Sequence, residues 1–126
     1  MSVDNKYLYS ASTSRIINLA IKIHKELGLG FIERIYEKAL NHELIKNKID
    51  FEKQKIIKVR YDNILLGDQR IDFLIEDKIV VELKAVSEIN EIHISQMLSY
   101  LKTMSKKVGL ILNFAKNKLD IKRVVL

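Results

Sequence analysis

The chain has 126 residues, 48% of them apolar and 30% charged, which suits a globular domain with its own core and argues against a disordered or fibrous chain. It contains no cysteine, so disulfides, thiolate catalysis and cysteine-ligated zinc or iron–sulfur sites are excluded. The net charge is +6 with a pI near 9.5, which permits a polyanionic partner without requiring one.

The opening Met-Ser-Val-Asp-Asn-Lys does not read as a signal peptide, and no apolar run approaches membrane-spanning length, so a cytoplasmic protein with no membrane association is expected. Residues 1–11 carry little pattern and are expected to form a loose N-terminus. Ser12, Thr13 and Ser14 offer N-cap oxygens, and Ile16, Ala20, Ile23 and Leu27 recur at helical spacing. The spacing predicts a helix over 13–27, stopped by Gly28-Leu29-Gly30. A second helix is predicted over 31–47, with an apolar face of Ile32, Ile35/Tyr36, Ala39/Leu40 and Leu44.

From Phe51 the period changes to two, predicting a half-exposed strand with Lys55, Ile57, Val59 and Tyr61 on one face. Asp62-Asn63 reads as a turn and Gly67-Asp68 as a kink or bulge. A strand continues over 69–76, and 79–86 returns as the most apolar strand. A helix is predicted over 91–104, with Ile92, Met97, Leu98, Leu101 and Met104 as core contacts. Val108 to Leu112 is a short apolar run of the buried-strand kind, and Ile121 to Leu126 forms a last strand. The order α-α-β-β-β-α-β-β implies one domain over 1–126, with a mixed sheet and helices packed on it.

Charge is unevenly placed. Six basic and two acidic residues lie between Lys46 and Arg60, and seven basic and one acidic between Lys102 and Arg123; from Gly67 to Glu91 seven acidic face three basic. An acidic centre between basic segments suits a metal site within a phosphate-binding surface, though a solvated lysine-rich surface has the same composition. Within the acidic centre, Asp72, Glu82 and Lys84 interrupt apolar strands, where charge is costly without a purpose. Glu82 and Lys84 share a strand face. A two-residue turn at Asp77-Lys78 would set Asp72 opposite Leu83, on the wrong face; a three-residue turn, or a bulge near Asp72, would set it opposite Glu82. Two carboxylates so placed suit a hard cation such as Mg²⁺ or Mn²⁺, with Lys84 available to orient a water or offset charge on a phosphate. An ordinary ion pair at a sheet edge remains the alternative. Glu33 and Glu37 lie one turn apart on the second helix. Either could approach the site, with a solvated helix face the preferred reading for Glu37. His93, Gln96 and Tyr100 line one side of the third helix, and His24 reads as structural.

Gly30-Phe31-Ile32-Glu33-Arg34-Ile35-Tyr36 matches a GxxExxY motif, and Leu27-Gly28-Leu29-Gly30 before it is similar to LGPG with Leu29 in place of proline. With Asp72, Glu82-x-Lys84, Gln96 to Tyr100 and Gly109 to Phe114 in this order, the chain resembles the GxxExxY family of the PD-(D/E)XK nuclease superfamily from about residue 15 onward. The resemblance implies an α+β, restriction-endonuclease-like αβββαβ core with a central mixed sheet flanked by helices and an extra N-terminal helix. It also implies metal ligation by Glu33, Asp72, Glu82 and the Leu83 carbonyl, with Lys84 catalytic, Gln96 and Tyr100 supporting, and Tyr36 packed beside Glu33. The expected activity is Mg²⁺- or Mn²⁺-dependent hydrolysis of DNA phosphodiesters by metal-activated water. A junction resolvase, which would need a homodimer, a non-catalytic nucleic-acid or protein-binding module on the same fold, and an enzyme acting on smaller phosphate esters are the alternatives.

Overall fold

A computed structural model describes residues 8–126. Part of the expected loose N-terminus, residues 1–7, lies outside the described residues; the rest of it does not behave as expected, because helix α1 (Ser10–Leu27) already includes residues 10 and 11. The helix starts earlier than its serines suggest. Tyr9 occupies the N-cap with φ 57° and no side-chain cap, while Thr13 Oγ1 donates to the Ser10 carbonyl at 3.1 Å from inside the helix. Its buried stripe is Ile16, Ala20 and Ile23, as spaced in the sequence. Gly28 (φ 74°) and Gly30 (φ 99°) then turn the chain through the left-handed region.

Helix α2 (Glu33–Lys46) begins two residues later than predicted, with Ile32 as an extended N-cap. It buries Tyr36, Leu40 and Leu44, each contributing about 2 kcal/mol by removal from water. Ile32 and Ile35, expected on that face, are exposed, because the helix turns only the Tyr36 stripe inward. Tyr36 stacks on Phe114 with ring centroids 4.4 Å apart and donates its hydroxyl to the Gly28 carbonyl at 2.6 Å, tying α2 to the glycine joint.

Strands β1 (Phe51–Tyr61) and β2 (Ile64–Ile75) form a long hairpin. Asp62 and Asn63 both have positive φ, the conformation that matches strand twist in a two-residue turn. The pairing shifts between Val59↔Gly67 and Arg60↔Leu65, so the extra residue is Leu66, next to the glycine where a kink was expected. Strand β3 (Ile79–Lys84) pairs antiparallel with β2 and parallel with β4 (Val108–Asn113), and β5 (Asp120–Val125) closes the far edge antiparallel to β4. The sheet order is β1-β2-β3-β4-β5. Parallel β3 and β4 require a crossover, which α3 (Glu91–Met104) supplies.

Two cores result. Helices α1 and α2 pack with Phe73, Ile75, Val81, Leu83, Leu110 and Leu112 on one face of the sheet. Helix α3 packs Met97, Tyr100 and Leu101 with Ile71, Leu74, Val80 and Ile111 on the other. Ile92, expected in this core, is 77% exposed, since it lies in the first turn of α3, ahead of the buried stripe. No helix among the described residues is long and apolar enough to cross a membrane.

Candidate active site

The turn between β2 and β3 decides the site. Glu76 (φ 54°) and Asp77 (φ 57°) are both left-handed, and with Lys78 they form a three-residue connection flanked by the pair Ile75↔Ile79. The pairing runs on through Leu74↔Val80 to Phe73↔Val81, and the same register sets Asp72 across from Glu82. The two-residue turn that would have put Asp72 opposite Leu83 does not occur.

Beyond Phe73↔Val81 the backbone ladder between β2 and β3 stops and the two acidic side chains replace it. The Asp72 N–H donates to Glu82 Oε1 at 3.0 Å, and the Leu83 N–H donates to Asp72 Oδ2 at 2.9 Å. Each carboxylate is thus held by the backbone of the other strand. These bonds satisfy N–H groups that would otherwise be left unpaired in a nearly dry region.

The opposite side of Asp72 is irregular too. Lys53↔Phe73 and Lys55↔Ile71 are paired, but Gln54, which faces Asp72, has φ 50°. A left-handed residue inside a strand rotates the chain. Phe51 and Phe73 therefore face the α1/α2 core, while Ile57, on the far side of Gln54 in β1, and Ile71, just before Asp72 in β2, face α3. Gln54 Nε2 donates to Glu37 Oε1 at 3.0 Å.

Burial and mutual repulsion set the electrostatics. Glu82 is 6% exposed, and burial first, then the charge of Asp72, push its carboxyl up to about 9, with the Asp72 N–H and the Lys84 ammonium acting in the opposite direction. Glu37 is pushed up to about 7, first by burial and then by its hydrogen-bonding contact with the Asp72 carboxyl. Tyr100, on α3, is pushed up to about 12 by burial and by the nearby charges of Glu82 and Asp72. Asp72, Glu82, Glu37 and Tyr100 therefore form one electrostatic unit, with Lys84 beside Glu82.

The other residues singled out by sequence are placed as follows. Glu33 is the first residue of α2 and half-buried; Glu37 feels its charge, and it makes no hydrogen bond or ion pair among the described residues. Leu83 is anchored in the α1/α2 core and its N–H is taken by Asp72. Gln96 is exposed, one turn before Tyr100. His93 caps α3: its Nδ1 accepts from the Asn90 N–H at 3.1 Å, and Asn90 Oδ1 accepts from the His93 N–H. His24 Nε2 lies 2.7 Å from the Lys116 carbonyl, a structural tie.

Three residues had been missed or misjudged. Glu37 is half-buried and turned to Asp72; its spacing one turn after Glu33 was the available signal. Gln54 carried none, because nothing in its surroundings marks a left-handed strand residue. Asn113 is fully buried, pairs with Lys84 in the β3–β4 ladder, and clamps Val86 by accepting its N–H at 3.0 Å and donating to its carbonyl at 2.8 Å. A polar residue closing the apolar run Val108 to Leu112 was the hint.

Among the described residues no three His, Cys, Asp or Glu side chains converge as a ready cation cage. The donor chemistry still fits a hard divalent ion. Two facing carboxylates supply oxygen ligands, and a cation held between them would offset the burial and the Asp72 charge that raise Glu82.

A mixed sheet with this hairpin and crossover, bearing Asp72 and Glu82-x-Lys84 at the point where its strands part, defines a restriction-endonuclease-like fold. A sequence model of the PD-(D/E)XK nuclease superfamily matches residues 10–124, and the chain belongs to that superfamily. Among solved structures, the crystal structure of SSO0001 superposes with a TM-score of 0.58 at 18% identity, over 73% of this chain and 48% of that one. An alkaline exonuclease (LHK-Exo) from Laribacter hongkongensis superposes with a TM-score of 0.50 at 12% identity, over 68% of this chain and 51% of that one. The chain thus spans about half the length of these structures, and at such identities the likeness is one of fold. No curated protein matches it.

Proposed function

We propose that this chain is a divalent-metal-dependent nuclease that hydrolyses phosphodiester bonds of DNA, a cytoplasmic protein of the GxxExxY kind whose residues 1–126 act as one nuclease-like unit. The observation that carries the reading is the reciprocal lock of Asp72 and Glu82 across parted strands, which fixes two carboxylates that form no ion pair among the described residues.

In this reading Asp72 and Glu82 hold Mg²⁺ or Mn²⁺ together with the Leu83 carbonyl and Glu33. Such an ion, when bound, polarises a phosphoryl oxygen and lowers the pKa of a water. Lys84, on the face of Glu82, orients the attacking water and offsets charge gathering on the phosphate. Tyr100, whose proton is retained far above neutral pH, acts as a hydrogen-bond donor and not as a base. Gln96, exposed on the same helix, contacts the strand beyond the reacting group. A homodimer enters only if the substrate is a branched junction that must be cut twice.

The test is incubation with single-stranded, duplex and branched DNA and with RNA in Mg²⁺ or Mn²⁺, beside Asp72→Ala and Lys84→Ala. Cleavage by the wild type, lost in both variants and in EDTA, is expected. Tight binding without metal-dependent cleavage of any substrate refutes the nuclease reading, and turnover confined to small phosphate esters redirects it.

A further inference from the structure

Next to the carboxylates, α2 and β1 enclose a cleft of about 290 Å³. Arg34, Lys38 and Asn41 line it from α2, at the three- and four-residue spacing that puts side chains on one stripe. Lys53 lines it from β1; it is paired with Phe73, which forms the apolar floor. Gln54 and Glu37 line it as well; Gln54 lies across from Asp72 in the β1–β2 register and Glu37 neighbours the Asp72 carboxyl, so the cleft lies beside the carboxylate pair. Glu37 is the one acid in the lining, and its Oε1 is already bonded to Gln54.

What sets the three cations apart is that they line one concavity and none of them is neutralised there. On the same strand Lys55 is paired with Glu52 at 2.7 Å and Lys58 with Asp68 at 3.0 Å, and on α1 Lys22 is paired with Glu43 at 2.9 Å. Arg34, Lys38 and Lys53 have no ion-pair partner among the described residues, although they line the same concavity and so present positive charge to whatever enters it. A guanidinium fork, two ammonium groups and a carboxamide over an apolar floor are the donor set of a phosphate with its sugar attached. The volume sits at the low end of small-ligand sites, suited to one nucleotide and too small for a duplex.

We propose that this cleft binds a backbone phosphate of a single nucleic-acid strand, adjacent to the phosphodiester presented to Asp72 and Glu82, and so sets the path by which the strand enters. The proposal rests on the nuclease reading and adds to it a specific anchoring subsite. The strand is drawn over the α2–β1 side of the site, and the β5 edge takes no part in holding it.

The test uses the whole chain in EDTA, so that binding is read without turnover, with a fluorescein-labelled single-stranded oligonucleotide followed by anisotropy across a salt series. The cleft double variant Lys38→Ala/Lys53→Ala is compared with Lys118→Ala/Lys122→Ala, which removes equal charge near β5. The cleft variant is expected to bind roughly tenfold more weakly and to lower the slope of log K against log salt by about 1.4, two counterions' worth for a single strand, with the control changed far less. Arg34→Ala is expected to act in the same direction. Equal losses in cleft and control variants overturn the subsite while leaving a nuclease that still cleaves. Absence of binding by the wild type to any DNA or RNA in EDTA overturns the subsite, and the nuclease reading falls with it only if cleavage in Mg²⁺ or Mn²⁺ is absent as well. Binding of poly-glutamate as tight as that of the oligonucleotide, with the same loss in the cleft variant, overturns the phosphate assignment in favour of an acidic protein partner.

Discussion

Replacing Glu82 by glutamine should make the metal-free protein more stable, by an amount that grows with pH. In the fold Glu82 is held up to about 9, by burial first and the Asp72 charge second, whereas in the unfolded chain it returns to about 4.3. The folded value is raised, so this group's contribution is fully present below the unfolded value and is lost as pH rises toward and through the folded one. Between pH 6 and pH 8 folding takes up one proton at Glu82, and stability falls by about 1.4 kcal/mol per pH unit, or about 3 kcal/mol across the interval. Glutamine has no proton to take up, yet its carbonyl oxygen can still accept the Asp72 N–H that Glu82 Oε1 accepts at 3.0 Å. The stability gap between Glu82→Gln and wild type should therefore widen by about 2–3 kcal/mol from pH 6 to pH 8, roughly 10 °C in melting midpoint for a chain of this length. Glu37 titrates in both proteins and largely cancels in the comparison. Urea or thermal unfolding in EDTA, followed by circular dichroism, measures the gap. A gap that stays constant within about 0.5 kcal/mol would refute the reasoning, because Glu82 would then be ionised in the metal-free fold. Under the proposed function, Mg²⁺ should raise the wild-type midpoint more than that of the variant.

Other positions can be tested on stability alone. Asn113→Ala removes both partners of Val86 in a fully buried position and should cost about 2–4 kcal/mol, with faster hydrogen exchange at the Val86 N–H; unchanged exchange there would argue against the clamp. Gly109→Ala would drive a methyl group into the Met97 side chain, which is buried under α3, and should cost about 1–3 kcal/mol in urea unfolding; a neutral result would mean that Met97 repacks freely. At the left-handed Gln54, glycine should be tolerated within about 1 kcal/mol, because relief of strain offsets the lost bond to Glu37. Valine at the same position should be clearly worse than glycine, and equal tolerance of the two would show that φ 50° is not a constraint.

Much of this protein is legible in one dimension. The Ile16, Ala20, Ile23 stripe, the turn at Asp62-Asn63, the bounds of α3 and the apolar run Val108 to Leu112 follow from periodicity and turn chemistry, which act over a few residues. Asp72, Glu82 and Lys84 stood out for the same local reason: charge inside apolar strands. The start of α1 was less legible, since the helix begins at Ser10 behind a left-handed Tyr9 N-cap, ahead of Ser12, Thr13 and Ser14.

What the tertiary structure decided is how those charges meet. A single residue of turn length separates a fold in which Asp72 faces Glu82 from one in which it faces away, and only the paired strands and cores on both faces select Glu76-Asp77-Lys78 over the shorter turn. The same holds for Glu37. By sequence it was a helix-surface acid, but burial of the Tyr36, Leu40 and Leu44 stripe rotates α2 so that Glu37 reaches Asp72. Local sequence sets which residues are worth placing near one another; the long-range burial of apolar faces, which no short window contains, sets the contacts they make.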